Sequence, residues 1–258
     1  MSTAIDPPRA MTVEFGARTP WTAGAAVAFV LITVLIASAV AVMAGTIYFK
    51  LGHRLARGSD VAADHVTLAN TMLAMLVMQV VMTAMVWWGA GRFNGHRQEL
   101  LSLSGGLPLR TLLIGLAGMA LLLVPYNLVI YLLWPESFAH DLRPFADLAR
   151  SPMVWLGGVV VAIGAPLSEE LTFRGFLLPA LAKARHGFTG AALITTVGWT
   201  ALHIGYSMTG LIEVFLIGLY FCWLMWRFSN LWLTIALHAL YNGMQLAFLA
   251  AFPPGPAL

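Results

Sequence analysis

The sequence predicts an all-α fold, a polytopic membrane bundle of seven or eight transmembrane helices. Of its 258 residues, 60% are hydrophobic and only 10% are charged, whereas soluble domains carry about 45–50% apolar and about 25% charged residues. The mean hydropathy is +0.83, and apolar stretches of about 20 residues, long enough to cross a bilayer as a helix, recur along the chain. A soluble domain and a disordered chain are excluded. The single cysteine, Cys222, excludes a disulfide framework.

The first three apolar segments are predicted to be uninterrupted spans. Segment 23–49 follows a polar N-terminal tail, 1–22, and is longer than the roughly 7–15-residue core of a signal peptide, so we expect a permanent span. The second and third spans are expected at 66–90 and 111–134. The polar loop that follows them, 135–151, has the length of a short interfacial helix.

The fourth apolar segment, 152–182, is interrupted by Pro166. Because proline lacks a backbone donor and clashes with the preceding turn, we expect a kinked span or two abutting helices, hence seven or eight spans in all. The remaining segments are 188–205, 209–228 and 231–252, followed by a C-terminal tail, 253–258. We therefore predict a single membrane domain over 23–252, with the motif-bearing core at about 152–245.

The positive charges between the spans predict the orientation of the bundle. With seven spans, eight lie on the side of the N-terminus: Arg9, Arg18, Arg92, Arg97, Arg110, Lys183, Arg185 and Arg227. Five lie on the other side: Lys50, Arg54, Arg57, Arg143 and Arg150. Because cytoplasmic loops carry the excess of Lys and Arg, we expect a cytoplasmic N-terminus.

The same charges argue against a nucleic-acid partner. The net charge is +3, but the positive residues are distributed between apolar segments and form no patch. Arginine greatly outnumbers lysine, and Ala and Gly are abundant, which favours a GC-rich bacterial genome. We therefore expect a multi-pass protein of the bacterial plasma membrane, whose partners are the bilayer and a membrane-associated peptide or protein substrate.

Three charged residues lie within six positions of the fourth segment, in the run SEELTFRG. Each costs about 2.5–3.5 kcal/mol at mid-bilayer, so its presence requires a reason. On a helix, Glu170 and Arg174 are an i,i+4 pair with the acid first, the favourable order, and we expect Arg174 to neutralise Glu170. Glu169 is rotated by about 100° from Glu170 and has no base at i+3 or i+4. An unpaired carboxylate of this kind suits a general base.

Two later segments carry histidines at helical spacing. His203 follows Trp199 by four residues, and Asn242 follows His238 by four, so each pair shares a helix face. A lone intramembrane histidine is typical of an interhelical hydrogen bond. With Glu169, however, these residues supply a base, orienting groups and hydrogen-bond donors, the minimum set for activating water and stabilising an oxyanion. We expect Glu169, His203, His238 and Asn242 to converge on one water-filled cavity.

The other intramembrane polar residues are assigned structural roles. Glu213 is expected to be interfacial, and Asn127 to satisfy backbone groups freed by a nearby proline. Gln79 and Gln245 are expected to hydrogen-bond between helices. The sequence has no HExxH, GxSxG, Walker A motif or paired intramembrane aspartates, which argues against zincin, rhomboid-like, ATP-driven and presenilin-like chemistry.

These motifs resemble the CPBP intramembrane peptidases, which include the type II CAAX prenyl endopeptidases and the Abi or lysostaphin-resistance-A-like proteins. The family pattern EExxxR is complete as Glu169 to Arg174. The family's FxxxH becomes Trp199 to His203, with tryptophan in place of phenylalanine, and HxxxN runs from His238 to Asn242. The resemblance covers about 152–245, whereas the first three spans match only as generic apolar helices.

The resemblance implies an intramembrane endopeptidase that opens to the cytoplasm. It implies that Glu169 activates water with help from His203, and that His238 and Asn242 stabilise the oxyanion. Glu170 and Arg174 would support the site. We expect no cofactor; the alternative is a zinc peptidase with Glu169, His203 and His238 as ligands.

Two further functions remain open from the sequence. One is a non-proteolytic membrane scaffold or maturation factor of the same fold, although a scaffold has no need of an unpaired carboxylate. The other is a proton-coupled transporter that uses Glu169, Glu170 and His203 as a relay. An inverted repeat would favour transport, and none is evident in the sequence.

Overall fold

A computed structural model describes residues 19–55, 60–92 and 96–252. The predicted C-terminal tail, 253–258, and most of the predicted N-terminal tail, 1–22, lie outside the described residues. Of the described residues, 86% are helical, and none lies in a strand. The predicted all-α class is confirmed.

The helices follow one another with short connections. The first five are α1 (Ala23–Leu55), α2 (Asp60–Ala90), the short α3 (Arg97–Leu100), α4 (Leu109–Leu133) and α5 (Pro135–Arg150). The fourth span, Val154–Ala182, consists of α6 (Val154–Val159), π1 (Val160–Gly164), α7 (Ala165–Glu170), π2 (Leu171–Leu177) and α8 (Leu178–Ala182). The last three are α9 (Gly187–Ala201), α10 (Met208–Phe228) and α11 (Leu231–Ala251).

Six of the described helical segments are long and apolar enough to cross a membrane, so the predicted count of seven or eight is not confirmed. They are α1, α2, α4, the fourth span, α10 and α11. The predicted segment 188–205 forms α9, which has 15 residues and is therefore about 22 Å long, less than the roughly 30 Å of a bilayer core. α9 ends early because the chain turns back over 202–207, where the His203 N–H bonds the Thr200 carbonyl.

The fourth span changes helical register instead of breaking at Pro166. The Ala165 N–H donates to the carbonyl of Val160, the i→i+5 bond of a π-helix. Pro166 has no N–H with which to continue this series. The carbonyl of Val161 is thereby left without a helical donor. The diglutamate segment α7 is thus bounded by π-helical turns on both sides, within one continuous span instead of two abutting helices.

The loop 135–151 forms α5, a single amphipathic helix, as its length indicates. Asp141 of α5 accepts hydrogen bonds from the Ser207 backbone N–H at 2.7 Å and hydroxyl at 2.6 Å. Ser207 is the N-cap of α10 and in turn accepts from the Gly210 N–H. α5 and the first turn of α10 are therefore tied together at the same end of the bundle.

The buried core lies where the fourth span, α9, α10 and α11 pack together. Phe176, Phe221 and Leu237 are fully inaccessible there. By contrast, α1 and α4 carry rows of exposed large apolar residues, such as Leu35 and Leu121. Continuous apolar surfaces of this extent are typical of contact with lipid. The polar site described below is built into the core side of the bundle.

Candidate active site

A cavity of about 340 Å³ lies inside the bundle, with walls from α2, α4, α5, the fourth span, α9, α10 and α11. It is lined by all four residues predicted to act in catalysis: Glu169, His203, His238 and Asn242. The structure therefore brings these four residues to one cavity, as the sequence predicts. More helices contribute to its walls than the three that carry the motifs.

The cavity occupies the half of the bundle nearer to α5. Four side chains of α5 line it, namely Phe138, Asp141, Leu142 and Phe145. Three spans, α1, α2 and α4, separate the N-terminal segment from α5. Because successive spans alternate in direction, the cavity half lies toward the membrane face opposite the one at which α1 begins.

Glu169 is held at one carboxylate oxygen only. Its Oε2 accepts a hydrogen bond of 2.6 Å from the indole Nε1 of Trp199. Its Oε1 has no hydrogen-bond partner among the described residues, and no described cation forms an ion pair with the carboxylate. The carboxylate is thus oriented by one neutral donor and keeps one oxygen available to a molecule in the cavity.

Trp199 contacts several of the predicted site residues. The Arg174 guanidinium carbon lies 4.2 Å from the centre of the Trp199 ring, a cation–π contact. The rings of His203 and His238 meet the indole edge-on, at 5.1 Å and 5.6 Å between centroids. The substitution of tryptophan for the family's phenylalanine is therefore more than a change of size, because phenylalanine has no N–H to give Glu169.

His203 is oriented by the backbone of its own helix. Its Nδ1 lies 3.0 Å from the carbonyl oxygen of Trp199. Since a carbonyl only accepts, Nδ1 carries the proton, and Nε2 of the neutral ring is left as an acceptor. His203 and Glu169 line the same cavity without bonding each other directly.

Glu170 and Arg174 form the predicted ion pair, with 3.1 Å between Oε1 and Nη1, and both side chains are completely buried. His238 approaches the same Oε1 with Nδ1, also at 3.1 Å. Arg174 further donates from Nη2 to the Gly218 carbonyl at 3.4 Å. Glu170 therefore neutralises Arg174 and fixes the His238 ring, and its carboxylate does not line the cavity.

Asn242 has a structural contact that the sequence did not predict. Its Nδ2 donates to the Val161 carbonyl at 2.9 Å, the acceptor that π1 and Pro166 leave without a helical donor. Asn242 therefore compensates for the register change beside the glutamates. One of the two Nδ2 hydrogens is used in this bond, and the second is free to donate to a ligand.

Sequence reasoning missed Glu213 and Tyr206 as cavity residues. Burial, with smaller contributions from the carboxylates Glu169, Asp141 and Glu213, raises the pKa of Tyr206 to about 12, so its phenol stays neutral. A signal for Glu213 was present. It lies five residues after the start of α10, and Asn127 lies six residues before the end of α4, so antiparallel spans place the two at similar depth.

The alternative zinc site requires Glu169, His203 and His238 to converge on one ion. Among the described residues, no three His, Cys, Asp or Glu side chains are close enough together to hold a metal ion. His238 presents Nδ1 to Glu170, and one Glu169 oxygen is bound by Trp199. As positioned, Glu169, His203 and His238 do not fit a zinc ion, and we derive no step through one.

Comparison with known proteins bears on the segment that carries the three motifs. Residues 151–244 match the family described as type II CAAX prenyl endopeptidase Rce1-like. No curated protein and no solved structure matches the chain. The matched segment contains every residue of the predicted site, from Glu169 to Asn242. The match confirms the resemblance to the CPBP intramembrane peptidases, and residues 151–244 are similar to a protease family, the Rce1-like type II CAAX prenyl endopeptidases.

Proposed function

We propose that the protein is an intramembrane endopeptidase that hydrolyses a peptide bond of a membrane-associated protein or peptide. The observation that carries the proposal is Glu169, a carboxylate with one free oxygen in a cavity that it shares with two histidines and Asn242. The protein is proposed to lie in a bacterial plasma membrane with its N-terminus in the cytoplasm, the side that the loop charges favour.

In the proposed mechanism, Glu169 is the general base. Its free Oε1 takes a proton from a water molecule that also donates to Nε2 of His203, and the resulting hydroxide attacks the scissile carbonyl. Glu169 then returns the proton to the leaving amine, so the same group acts as base and acid. The Trp199 N–H keeps the carboxylate in place throughout both proton transfers.

The oxyanion is proposed to be stabilised by His238 and Asn242. Glu170 accepts a hydrogen bond from Nδ1 of His238 and so fixes the ring, and Nε2 is the atom proposed to contact the oxyanion. Asn242 donates its second Nδ2 hydrogen.

The proposal is tested with purified protein in detergent and a defined mixture of synthetic peptides. Because no step uses a metal, hydrolysis is expected to survive chelator treatment followed by dialysis, and zinc is expected to be far below one per chain. The measurements are cleavage detected by mass spectrometry and metal content. One tightly bound zinc per chain, lost together with activity and restored by adding zinc, would contradict the metal-free mechanism. Proton flux in proteoliposomes without cleavage of any peptide would favour a transporter.

Trp199→Phe is expected to lower kcat by about 10- to 100-fold, because a hydrogen bond to a charged group contributes roughly 1.5–3 kcal/mol. Phenylalanine keeps most of the ring contacts with His203 and His238 but leaves Glu169 Oε2 without its donor. The measurements are kcat and the melting temperature, which is expected to fall because Trp199 is only 2% exposed and phenylalanine is smaller. The control is Trp88→Phe, an exposed tryptophan outside the cavity. A folded Trp199→Phe protein with wild-type kcat would show that this hydrogen bond has no part in orienting Glu169.

A further inference from the structure

The cavity contains a second carboxylate that the proposed hydrolysis does not use. Glu213 accepts two hydrogen bonds at one oxygen, Oε1, from Asn127 Nδ2 at 2.6 Å and from Tyr241 Oη at 2.7 Å. Its other oxygen, Oε2, has no hydrogen-bond partner among the described residues, and no described cation pairs with the side chain. Two neutral side chains therefore position Glu213 without neutralising it.

The cavity wall contains carboxylates but no permanently charged cation. Neither lysine nor arginine lines it, whereas Glu169, Glu213 and Asp141 do. Asp141 differs from the two glutamates because both of its oxygens are engaged by Ser207, in the contact that fixes α5 to α10. The uncompensated negative charge inside the cavity is thus carried by Glu169 and Glu213.

The amide of Gln79 in the same wall differs from Glu213 in its accessibility to a ligand. Gln79, only 8% exposed, lines the cavity and uses its Nε2 to donate to the Val160 carbonyl. Its Oε1 is buried and has no hydrogen-bond partner in the described structure. A buried acceptor without a donor is costly. Gln79 Oε1 is packed against Gly164, out of reach of the cavity. The free oxygen of Glu213 is therefore the acceptor that the N–H groups of a ligand can reach.

The apolar part of the cavity suits the remainder of such a ligand. Met75, Met78 and Met82 of α2 line the wall near Gln79. Methionine is flexible and adapts to irregular apolar groups. Lysine and arginine carry a cationic head on an aliphatic stem, and such stems pack along apolar surface while the head reaches a polar partner. The cavity thus matches both halves of a basic side chain.

We propose that Glu213 binds a lysine or arginine side chain of the peptide substrate, close to the bond that is cleaved. This inference rests on the proposed peptidase function and adds a substrate class to it, namely peptides with a basic residue beside the scissile bond. Pairing offsets the cost of a buried charge, and a neutral side chain at that position would leave Glu213 unpaired. Glu213 therefore selects by rejecting neutral substrates as well as by binding basic ones.

The experiment uses pairs of synthetic peptides that differ at one position, with lysine in one member and the neutral, similarly long norleucine in the other. Wild-type kcat/KM is expected to favour lysine by at least about tenfold at one position near the cleaved bond. Norleucine lacks the charge that pairs with Glu213, and removing one partner of a buried charge pair has an effect of at least this size. Glu213→Gln is expected to remove this preference and to keep turnover of the norleucine peptide. The control is Glu136→Gln, the same chemical change at an exposed residue of α5 outside the cavity.

Peptide binding is measured in parallel with cleavage. Its readout is the increase in the melting temperature of the protein that each peptide causes. If no peptide is cleaved but lysine peptides still stabilise wild-type protein more than their norleucine partners, and Glu213→Gln loses that difference, the peptidase function fails and the cationic subsite stands. If wild-type protein cleaves the lysine and norleucine peptides equally at every substituted position, the proposed subsite is wrong. This outcome does not depend on whether Glu213→Gln folds. An unchanged lysine preference in folded Glu213→Gln overturns it as well.

Discussion

Glu169→Gln is expected to yield a folded, membrane-inserted protein without measurable peptidase activity. The amide keeps the shape of the side chain, and its oxygen can still accept the Trp199 hydrogen bond that Glu169 accepts at 2.6 Å. It cannot take a proton from water. Loss of a general base typically lowers a rate by about 10²–10⁴-fold, so residual cleavage is expected near background.

The measurement is cleavage of a model peptide together with the melting temperature in detergent. Glu136→Gln is the matched control, since it makes the same change on the exposed surface of α5. Wild-type activity in folded Glu169→Gln protein would remove Glu169 from the mechanism.

Glu170→Gln is expected to destabilise the protein, in contrast to Glu169→Gln. Glu170 is fully buried, and its Oε1 meets Arg174 and His238 at 3.1 Å each. The substitution strands Arg174 as a buried cation, and breaking a buried ion pair costs about 3–5 kcal/mol. We expect a lower melting temperature and a lower yield, and Arg174→Ala is expected to cause similar damage.

The double variant Glu170→Gln/Arg174→Met provides the decisive comparison. Both charges leave together, and methionine keeps apolar contact with the Trp199 ring that Arg174 covers. Part of the lost stability is therefore expected to return. If the double variant melts no higher than Glu170→Gln alone, the ion pair does not explain the destabilisation. If Glu169→Gln stays active while folded Glu170→Gln is inactive, the roles of the two glutamates are reversed.

Features that depend on local spacing could be predicted from the sequence. The Glu170–Arg174 pair follows from an i,i+4 separation and is present. The convergence of Glu169, His203 and His238 on one cavity follows from the cost of isolated polar groups in lipid, which forces such groups from different helices to meet. Their catalytic roles stay a prediction that the experiments above test.

Features that depend on hydrogen-bond register or on partners distant in sequence could not be predicted. Pro166 indicates an interruption, but the sequence does not show that the chain forms the π-helical turn Val160–Gly164 before it. The bond from Asn242 to Val161 exists only because of that turn. Glu213 looked interfacial because its partners, Asn127 and Tyr241, come from two other helices.

The position of the cavity on the α5 side of the bundle determines which compartment supplies the water and receives the products. With the N-terminus in the cytoplasm, as we propose, the three spans before α5 place this half toward the outer face of the membrane. The cavity would then be supplied from outside the cell, opposite to the cytoplasmic opening that the family resemblance implies. The peptides available for hydrolysis would be those that have already crossed the membrane or that expose their cleavage site on its outer surface.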